Sequence, residues 1–512
     1  MRVLHKHGAR GVAKKKCDRM TDMRPTKKFA FDVGWVFASS VVVLLLHFFQ
    51  KPLLARYLGP DGLGLLSMVT MLASIIELIA IFGIDGALTK YVAEYKGKEQ
   101  KDKMCELFSS AFVTILIIGV ITSMIFFVCS NIFADIFNMS SLSSLLKIYA
   151  PVFPFSFTYA IIISYFNGLR EMRFYALSRI LQASLALAFI LALLIIGLGV
   201  EGALWGTIFA IIVTVCVNMS IMKKFIRFKF SNYKKNIKML ASFGSRITGA
   251  NMIGQIYYNI DTLMIGYFLT STEVGYYAVA ISLSRFFWLV PRAIATVAYP
   301  AISEYWANGN RQAVNKLVDK STKYSACILI FAGMSIVFFA KDIITSLFTP
   351  EFLPAVLPLA ILITGTVISG ILRSLGGIFA SAGRVDLVLK MSPIAPAVDI
   401  ILNVALIPTY GIIGAATATT VAYVLNVGIS IYFLWRVLGI KLDIFWFAKM
   451  AILIGMSVIL FYVFSFLNYY ISSMIALSIY GIAVVKYLLT KEDRGFFVSI
   501  AKHALKGDFI RV

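Results

Sequence analysis

The chain has 512 residues, of which 60% are hydrophobic and only 14% charged, with a formal net charge of +23 at pH 7. A soluble domain carries about 25% charged residues, so this composition leaves too little polar surface to face water and excludes a soluble fold. An excess of positive charge this large would otherwise suggest a nucleic-acid partner, and its distribution along the chain decides that question.

The chain opens with a basic segment over 1–29, with ten Lys/Arg within residues 1–28. No small-residue cleavage site closes the apolar stretch that follows, which predicts a cytoplasmic tail before a retained first helix rather than a removed signal peptide. A membrane crossing takes about 20 mostly apolar residues. Such stretches cover 30–50, 62–83, 105–129, 146–168, 174–197, 200–222, 243–269, 274–303, 324–345, 355–380, 385–408, 411–436, 444–467 and 470–489. The expectation is an all-α polytopic membrane protein of about fourteen transmembrane helices. Six form an N-terminal lobe over 30–222, a basic linker covers 223–242, and six more form a second lobe over 243–436. Two extra helices follow over 444–489, then a cytoplasmic tail over 490–512. Very short links at 198–199, 270–273 and Tyr410 predict antiparallel neighbours. The linker run 223–238, KKFIRFKFSNYKKNIK, reads as a topology-setting loop or as an interfacial helix on the inner leaflet.

With the N-terminus inside, the inner segments hold 37 Lys/Arg and the outer links four; the other seven of the 48 fall within crossings. That is the positive-inside pattern at every loop. It predicts a multi-pass protein of the plasma (inner) membrane with both termini cytoplasmic. The charge then reports orientation and contact with anionic lipid heads, and no nucleic acid is needed. The five cysteines lie far apart without CxxC spacing, so neither a zinc site nor a disulfide framework is indicated.

Two motifs recur at one spacing. Leu58-Gly-Pro-Asp-Gly-Leu-Gly64 leads into the second crossing, and Leu269-Thr-Ser-Thr-Glu-Val-Gly275 leads into the eighth, 211 residues later. Gly199-Val-Glu-Gly-Ala203 opens the sixth and Gly411-Ile-Ile-Gly-Ala415 the twelfth, 212 residues later. Six crossings per unit keep both copies in the same orientation, so the expectation is two parallel six-helix repeats, a transporter architecture.

The run Ala55-Arg-Tyr-Leu-Gly-Pro-Asp-Gly-Leu-Gly64 resembles the first outer link of the polysaccharide transporter family, the Wzx-like flippases of the MOP superfamily. So do Gly83-Ile-Asp-Gly-Ala-Leu-Thr-Lys-Tyr-Val-Ala-Glu-Tyr-Lys-Gly97, Asn259-Ile-Asp-Thr-Leu-Met-Ile-Gly266 and Asn403-Val-Ala-Leu-Ile-Pro-Thr-Tyr-Gly-Ile-Ile-Gly-Ala-Ala416. The resemblance covers roughly residues 28–490. It implies two V-shaped six-helix lobes, two extra helices, and movement of a polyprenyl-diphosphate-linked sugar across the membrane. It also implies partners among other surface-polysaccharide assembly proteins, a monomer, and no cofactor beyond a coupling proton or Na+.

A charge at mid-membrane costs about 2.5–3.5 kcal/mol on insertion scales, so each one needs a reason. Arg285, Trp288 and Arg292 sit at i, i+3 and i+7, one face of a continuous helix. Arg285 lies about 16 Å in from Val274 at 1.5 Å per residue. Its planar fork of donors suits a phosphate, and Pro291 is expected to kink the helix and free the Phe287 carbonyl. Arg179, Arg246 and Arg373 are further candidates for an anionic headgroup, with snorkelling to the inner interface as the plain alternative. Lys390 and Lys449 read as snorkelling, and His47 as packed or interfacial. Asp261, Glu77 and Asp399 are the candidates for ion coupling; Asp261, beside Tyr257 and Tyr258, binds a cation or pairs with an Arg.

The expected function is a flippase carrying lipid-linked oligosaccharide from the cytoplasmic to the outer leaflet by alternating access. The competing reading within the superfamily is a multidrug/cation antiporter, which needs acidic sites for cationic cargo. A membrane enzyme is disfavoured: no GxxxxGK phosphate loop and no DxD pair occurs, and the longest outer link is about sixteen residues.

Overall fold

The computed structural model describes residues 25–495 apart from 376, 465 and 467, so most of both expected tails lies outside them. The described residues are helical with no strand. Ten helices are long and apolar enough to cross a membrane, or eleven if a bent pair counts as one crossing. Two of the ten run for 51 and 54 residues, over 31–81 and 385–438, more than twice the roughly 20 that a crossing takes. The first breaks at Gly59, and the second at 392–393 and again at Gly411. Each long helix thus carries two of the expected crossings, and Tyr410, expected as a link, stands beside the break at Gly411. Backbone bonding carries on up to each kink because unpaired amides are costly in hydrocarbon.

The chain divides into two compact units. The first holds residues 1–256 with 270–272. Its helices are α1 (Pro25–Ile81), α2 (Ile84–Gly97), α3 (Lys101–Val128), α4 (Ser130–Ile136), α5 (Ser140–Tyr149), α6 (Val152–Gly168), α7 (Met172–Ile195), α8 (Gly199–Met222) and the first part of α9 (Tyr233–Phe268). The rest of α9 begins the second unit. There follow α10 (Ser271–Phe286), α11 (Leu289–Ala307), α12 (Arg311–Phe338), α13 (Ala340–Leu347), α14 (Val356–Arg373), α15 (Ile378–Ser381), α16 (Val385–Met391), α17 (Ile394–Leu438), α18 (Ile444–Phe464) and α19 (Tyr469–Ala483).

α3 shows why these helices belong in lipid. Phe108, Ala111, Ile115 and Phe126 on one face are buried, while Ile117, Ile121, Met124 and Val128 on the other are exposed. Both faces are apolar, so the outer one suits hydrocarbon and not water. Between helices, polar contacts supply some of the attraction that lipid does not. Asn218 on α8 donates to Ser178 Oγ on α7 at 2.6 Å, and Thr89 on α2 to the Ser164 carbonyl on α6 at 3.1 Å.

The basic linker is not an interfacial helix. Residues 226–230 form no helix and are strapped to α3, and only 233–238 are helical, as the start of α9. The Lys229 amide donates to Ser109 Oγ at 3.1 Å, and its ammonium lies 2.7 Å from Asp102. Asn236 donates to Ser110 Oγ at 3.2 Å, and the Tyr233 and Thr114 hydroxyls meet at 2.7 Å. Helix α9 then passes the α1–α2 corner so closely that Gly244 and Gly83 touch backbone to backbone; a Cβ on either would overlap the other's main chain.

The repeated motifs have matching backbones. Gly199 and Gly411 adopt φ of +53° and +60°, left-handed values that only glycine reaches without strain. Three residues on, Gly202 and Gly414 each press on the end of the preceding helical segment, at Leu193 and Leu406. At the C-terminus α18 is stapled to α12 by Lys323 to Asp443 at 2.9 Å near one end and by Phe338 stacked on Phe461 at 4.6 Å near the other, and α19 by Tyr480 stacked on Phe331 at 6.4 Å.

A Gly414→Val substitution should therefore overpack the corner and cost about 1–3 kcal/mol. Thermal unfolding in detergent should show a lowered midpoint, while Gly428→Ala, with open space around it, should leave the midpoint unchanged.

Candidate functional site

Within the second unit, four helical arms converge on one carboxyl group. Asp261 on α9 is only 1% exposed. The Asn403 amide donates to its Oδ1 at 2.9 Å; the Thr419 and Tyr277 hydroxyls stand 2.9 and 3.0 Å from its Oδ2. Asn403 and Thr419 are both on α17, where sixteen positions would span about 24 Å on a straight helix. They reach one carboxyl because α17 breaks at Gly411 and folds back. Tyr277 on α10 reaches it across the break between α9 and α10.

A second carboxyl sits one turn from Asn403. The same amide donates to Asp399 Oδ1 at 3.3 Å. Asp399 and Asn403 are fully buried, and Asp399 Oδ2 and Asn403 Oδ1 lack hydrogen-bond partners. Two carboxylates this enclosed cannot both stay bare anions, because an uncompensated buried charge costs several kcal/mol. The leftover oxygens are acceptors, and a proton or a small cation is what acceptors take. No cluster of three or more His, Cys, Asp or Glu suited to a metal occurs among the described residues. Any bound ion would rest on two carboxyls and neutral oxygens.

Tyr258, three residues before Asp261, joins this pair to two arginines. Arg285 in the last turn of α10 donates to the Tyr258 carbonyl, and Arg373 at the end of α14 donates to the Tyr258 hydroxyl. Both guanidiniums lie over aromatic rings: Arg285 is 5.5 Å from the Tyr258 centroid and 5.9 Å from Trp288, and Arg373 is 4.3 Å from Trp288. Tyr257, Tyr423, Tyr258 and Trp288 close into an aromatic cluster, with successive centroids 5.4–6.3 Å apart. Neither guanidinium forms an ion pair among the described residues. Arg285 Nε and Trp288 Nε1 are buried without an acceptor. Cation–π contact steadies such charges but leaves their donors available to an anion.

The other candidates lie elsewhere. The helix carrying Arg285 ends at Phe286 and resumes at Leu289, because Pro291 offers no N–H to Phe287. The single face expected for Arg285, Trp288 and Arg292 does not form; Arg292 is exposed, and Arg373 joins Trp288 instead. Asp261 pairs with neutral donors and not with an Arg. Arg179 and Glu77 belong to the first unit, where Arg179 reaches Ser40 Oγ at 3.4 Å and both side chains are half-buried. Arg246 also belongs to the first unit and is exposed; Lys390, Lys449 and His47 are exposed as well. Asn403, Thr419, Tyr277 and Tyr423 carry no charge and escaped the sequence reading, although Asn403 stands at i+4 from Asp399 and Tyr423 at i+4 from Thr419.

Comparison with known proteins places this geometry. The family model described as "Polysaccharide biosynthesis protein" matches residues 29–306, more than half of the chain. The chain belongs to the polysaccharide biosynthesis protein family. The MatE model also matches, over 247–405. Agl15 of Haloferax volcanii, named a probable low-salt glycan biosynthesis flippase, is 26% identical over 48% of this chain. That match spans 51%, about half, of the relative's own length. The membrane protein MJ1068 of Methanocaldococcus jannaschii is 26% identical over 79% of this chain and 84% of its own. The inward closed structure of the lipid II flippase MurJ superposes with a TM-score of 0.70 at 18% identity, covering 90% of this chain and 99% of that one. At that identity the likeness shows the fold.

In this member of the polysaccharide biosynthesis protein family, Asn403 holds both carboxyls. Asn403→Leu removes a donor from each and should cost about 1–3 kcal/mol, read as a lowered unfolding midpoint in detergent; Asn403→Gln should recover part of the loss.

Proposed function

We propose that this protein is a transporter that flips a polyprenyl-diphosphate-linked oligosaccharide from the cytoplasmic to the outer leaflet by alternating access. The observation that carries the reading is the arginine pair on Tyr258, set among apolar helices with no carboxylate partner. A planar fork of donors is the usual protein ligand for phosphate oxygens, and an unpaired charge in a membrane bundle marks a substrate or ion pathway. The names of Agl15 and MurJ, both flippases, support the same reading. Arg285, Trp288 and Arg373 would hold the headgroup, with Arg179, Arg246 and Arg292 as further cationic positions on its path. Asp261 and Asp399 would take the coupling proton or Na+, with Glu77 a further acidic candidate.

Under this reading the chain is no enzyme. It crosses the plasma (inner) membrane fourteen times with both termini cytoplasmic, in lobes over 30–222 and 243–436 joined by the 223–242 linker, with two extra helices over 444–489. It works as a monomer beside other surface-polysaccharide assembly proteins. Lys/Arg counts of 37 inside and four outside support that orientation.

A second reading rests on the MatE match over 247–405, which contains both buried carboxyls. Such a pair also suits a cationic cargo, as in a multidrug antiporter. Proteoliposomes separate the two. A fluorescent polyprenyl-diphosphate oligosaccharide should reach the far leaflet only with the protein and an imposed proton or Na+ gradient. Gradient-driven uptake of an organic cation without lipid movement would favour the antiporter. Arg285→Ala should abolish translocation while insertion stays normal, and full activity in that variant rules out the diphosphate role. Asp399→Asn should leave some movement but remove its response to the gradient.

A further inference from the structure

Helices α14 and α17 line a half-open cavity of about 160 Å³ whose walls do not include the carboxyl pair. Ser369 and Arg373 line it from α14, and Asn426 and Ser430 from α17. Each pair is spaced i, i+4, so both helices turn one face toward the same space. The Ser369, Asn426 and Ser430 side chains have no hydrogen-bond partner among the described residues. Ser369 is buried and Asn426 and Ser430 are half-buried, and their side chains all carry a donor that a ligand in this space could meet. Leu372 and Phe379 give it apolar walls, and no acidic side chain lines it. Its one charge is the Arg373 guanidinium, which spends one donor on Tyr258 and has five. That space is ample for an oxyanion of five heavy atoms.

We propose that this cavity is a second anion site, taking a phosphoryl oxyanion in the arms of Arg373, Ser369, Asn426 and Ser430. It shares Arg373 with the headgroup site proposed above; the other three donors are its own, and it does not rest on the flippase reading. The phosphoryl group belongs either to a lipid headgroup or to free phosphate, and the two sources share this chemistry.

The test uses the full-length protein in nanodiscs. Sodium phosphate, sodium pyrophosphate and a short-chain polyprenyl phosphate are titrated at constant ionic strength against chloride, and thermal stabilisation is read. Saturable stabilisation is expected, with the apparent Kd raised about tenfold in Asn426→Leu and in Ser430→Val and unchanged in Lys449→Ala, an exposed position on α18. Each variant's midpoint in chloride alone reports whether it folds. Saturation by inorganic phosphate would point to the free anion, and saturation by the polyprenyl phosphate alone to the headgroup; both support the site. No saturable effect from any probe overturns it. So does an effect that survives both pocket substitutions but disappears in Arg285→Ala, which would put the anion at Arg285. Translocation is not the readout, so failure of the transport reading and failure of this site remain separate results.

Discussion

A carboxyl group enclosed by apolar helices has to be met by donors from the chain itself, and in the second unit that demand falls on Asp261. Its two oxygens are reached from α10 and from both arms of α17. Each of those arms is thereby fixed in rotation as well as position, because a hydroxyl or amide must point at one atom. Tyr258 lies on the same turn of α9 and holds Arg285 and Arg373. The cationic pair is thus registered against the acidic pair through less than one turn of helix. Asp261 and the contacts of both arginines thus share one turn of α9, with no ion pair among the described residues to cancel the arginine charges.

The duplicated frame and the chemistry placed on it are separable. Gly199 and Gly411 make the same left-handed corner, and both copies pack the glycine three residues later against the preceding helical segment. The positions 212 residues before Asp399 and Asn403 are Leu187 and Leu191, while Thr207 stands before Thr419. The corner geometry is common to both halves. The carboxyl and the amide occupy positions that are leucine in the first, so the polar centre was built on one copy of a shared hinge.

How much of this could be read in advance follows the cost of each feature. Membrane class and helical content were plain because nothing else accommodates so many apolar residues. Intramembrane charges such as Asp261, Asp399, Arg285 and Arg373 stood out because each is expensive in lipid. Their neutral partners did not, since Asn, Thr and Tyr are cheap enough to occur in any crossing helix. The wheel drawn through Arg292 failed because it assumed an unbroken helix, whereas Pro291 interrupts the bonding and resets the rotation. The breaks at Gly59 and Gly411 were legible as links between apolar runs, although amide bonding continues almost across each. In the linker, alternating basic and aromatic residues suggested an amphipathic helix, but serines on α3 offered its amides other partners.

The contact of Gly83 with Gly244 bears on how α9 can move against the α1–α2 corner. Most helix crossings are geared: side chains on one helix fill grooves on the other, and turning either means lifting every tooth. Where two bare main chains meet there are no teeth. That point is a bare bearing set between teeth, with Phe243 packed on Tyr91 and Thr248 beside Gly83. A single methyl group on either face would turn the bearing into a lock.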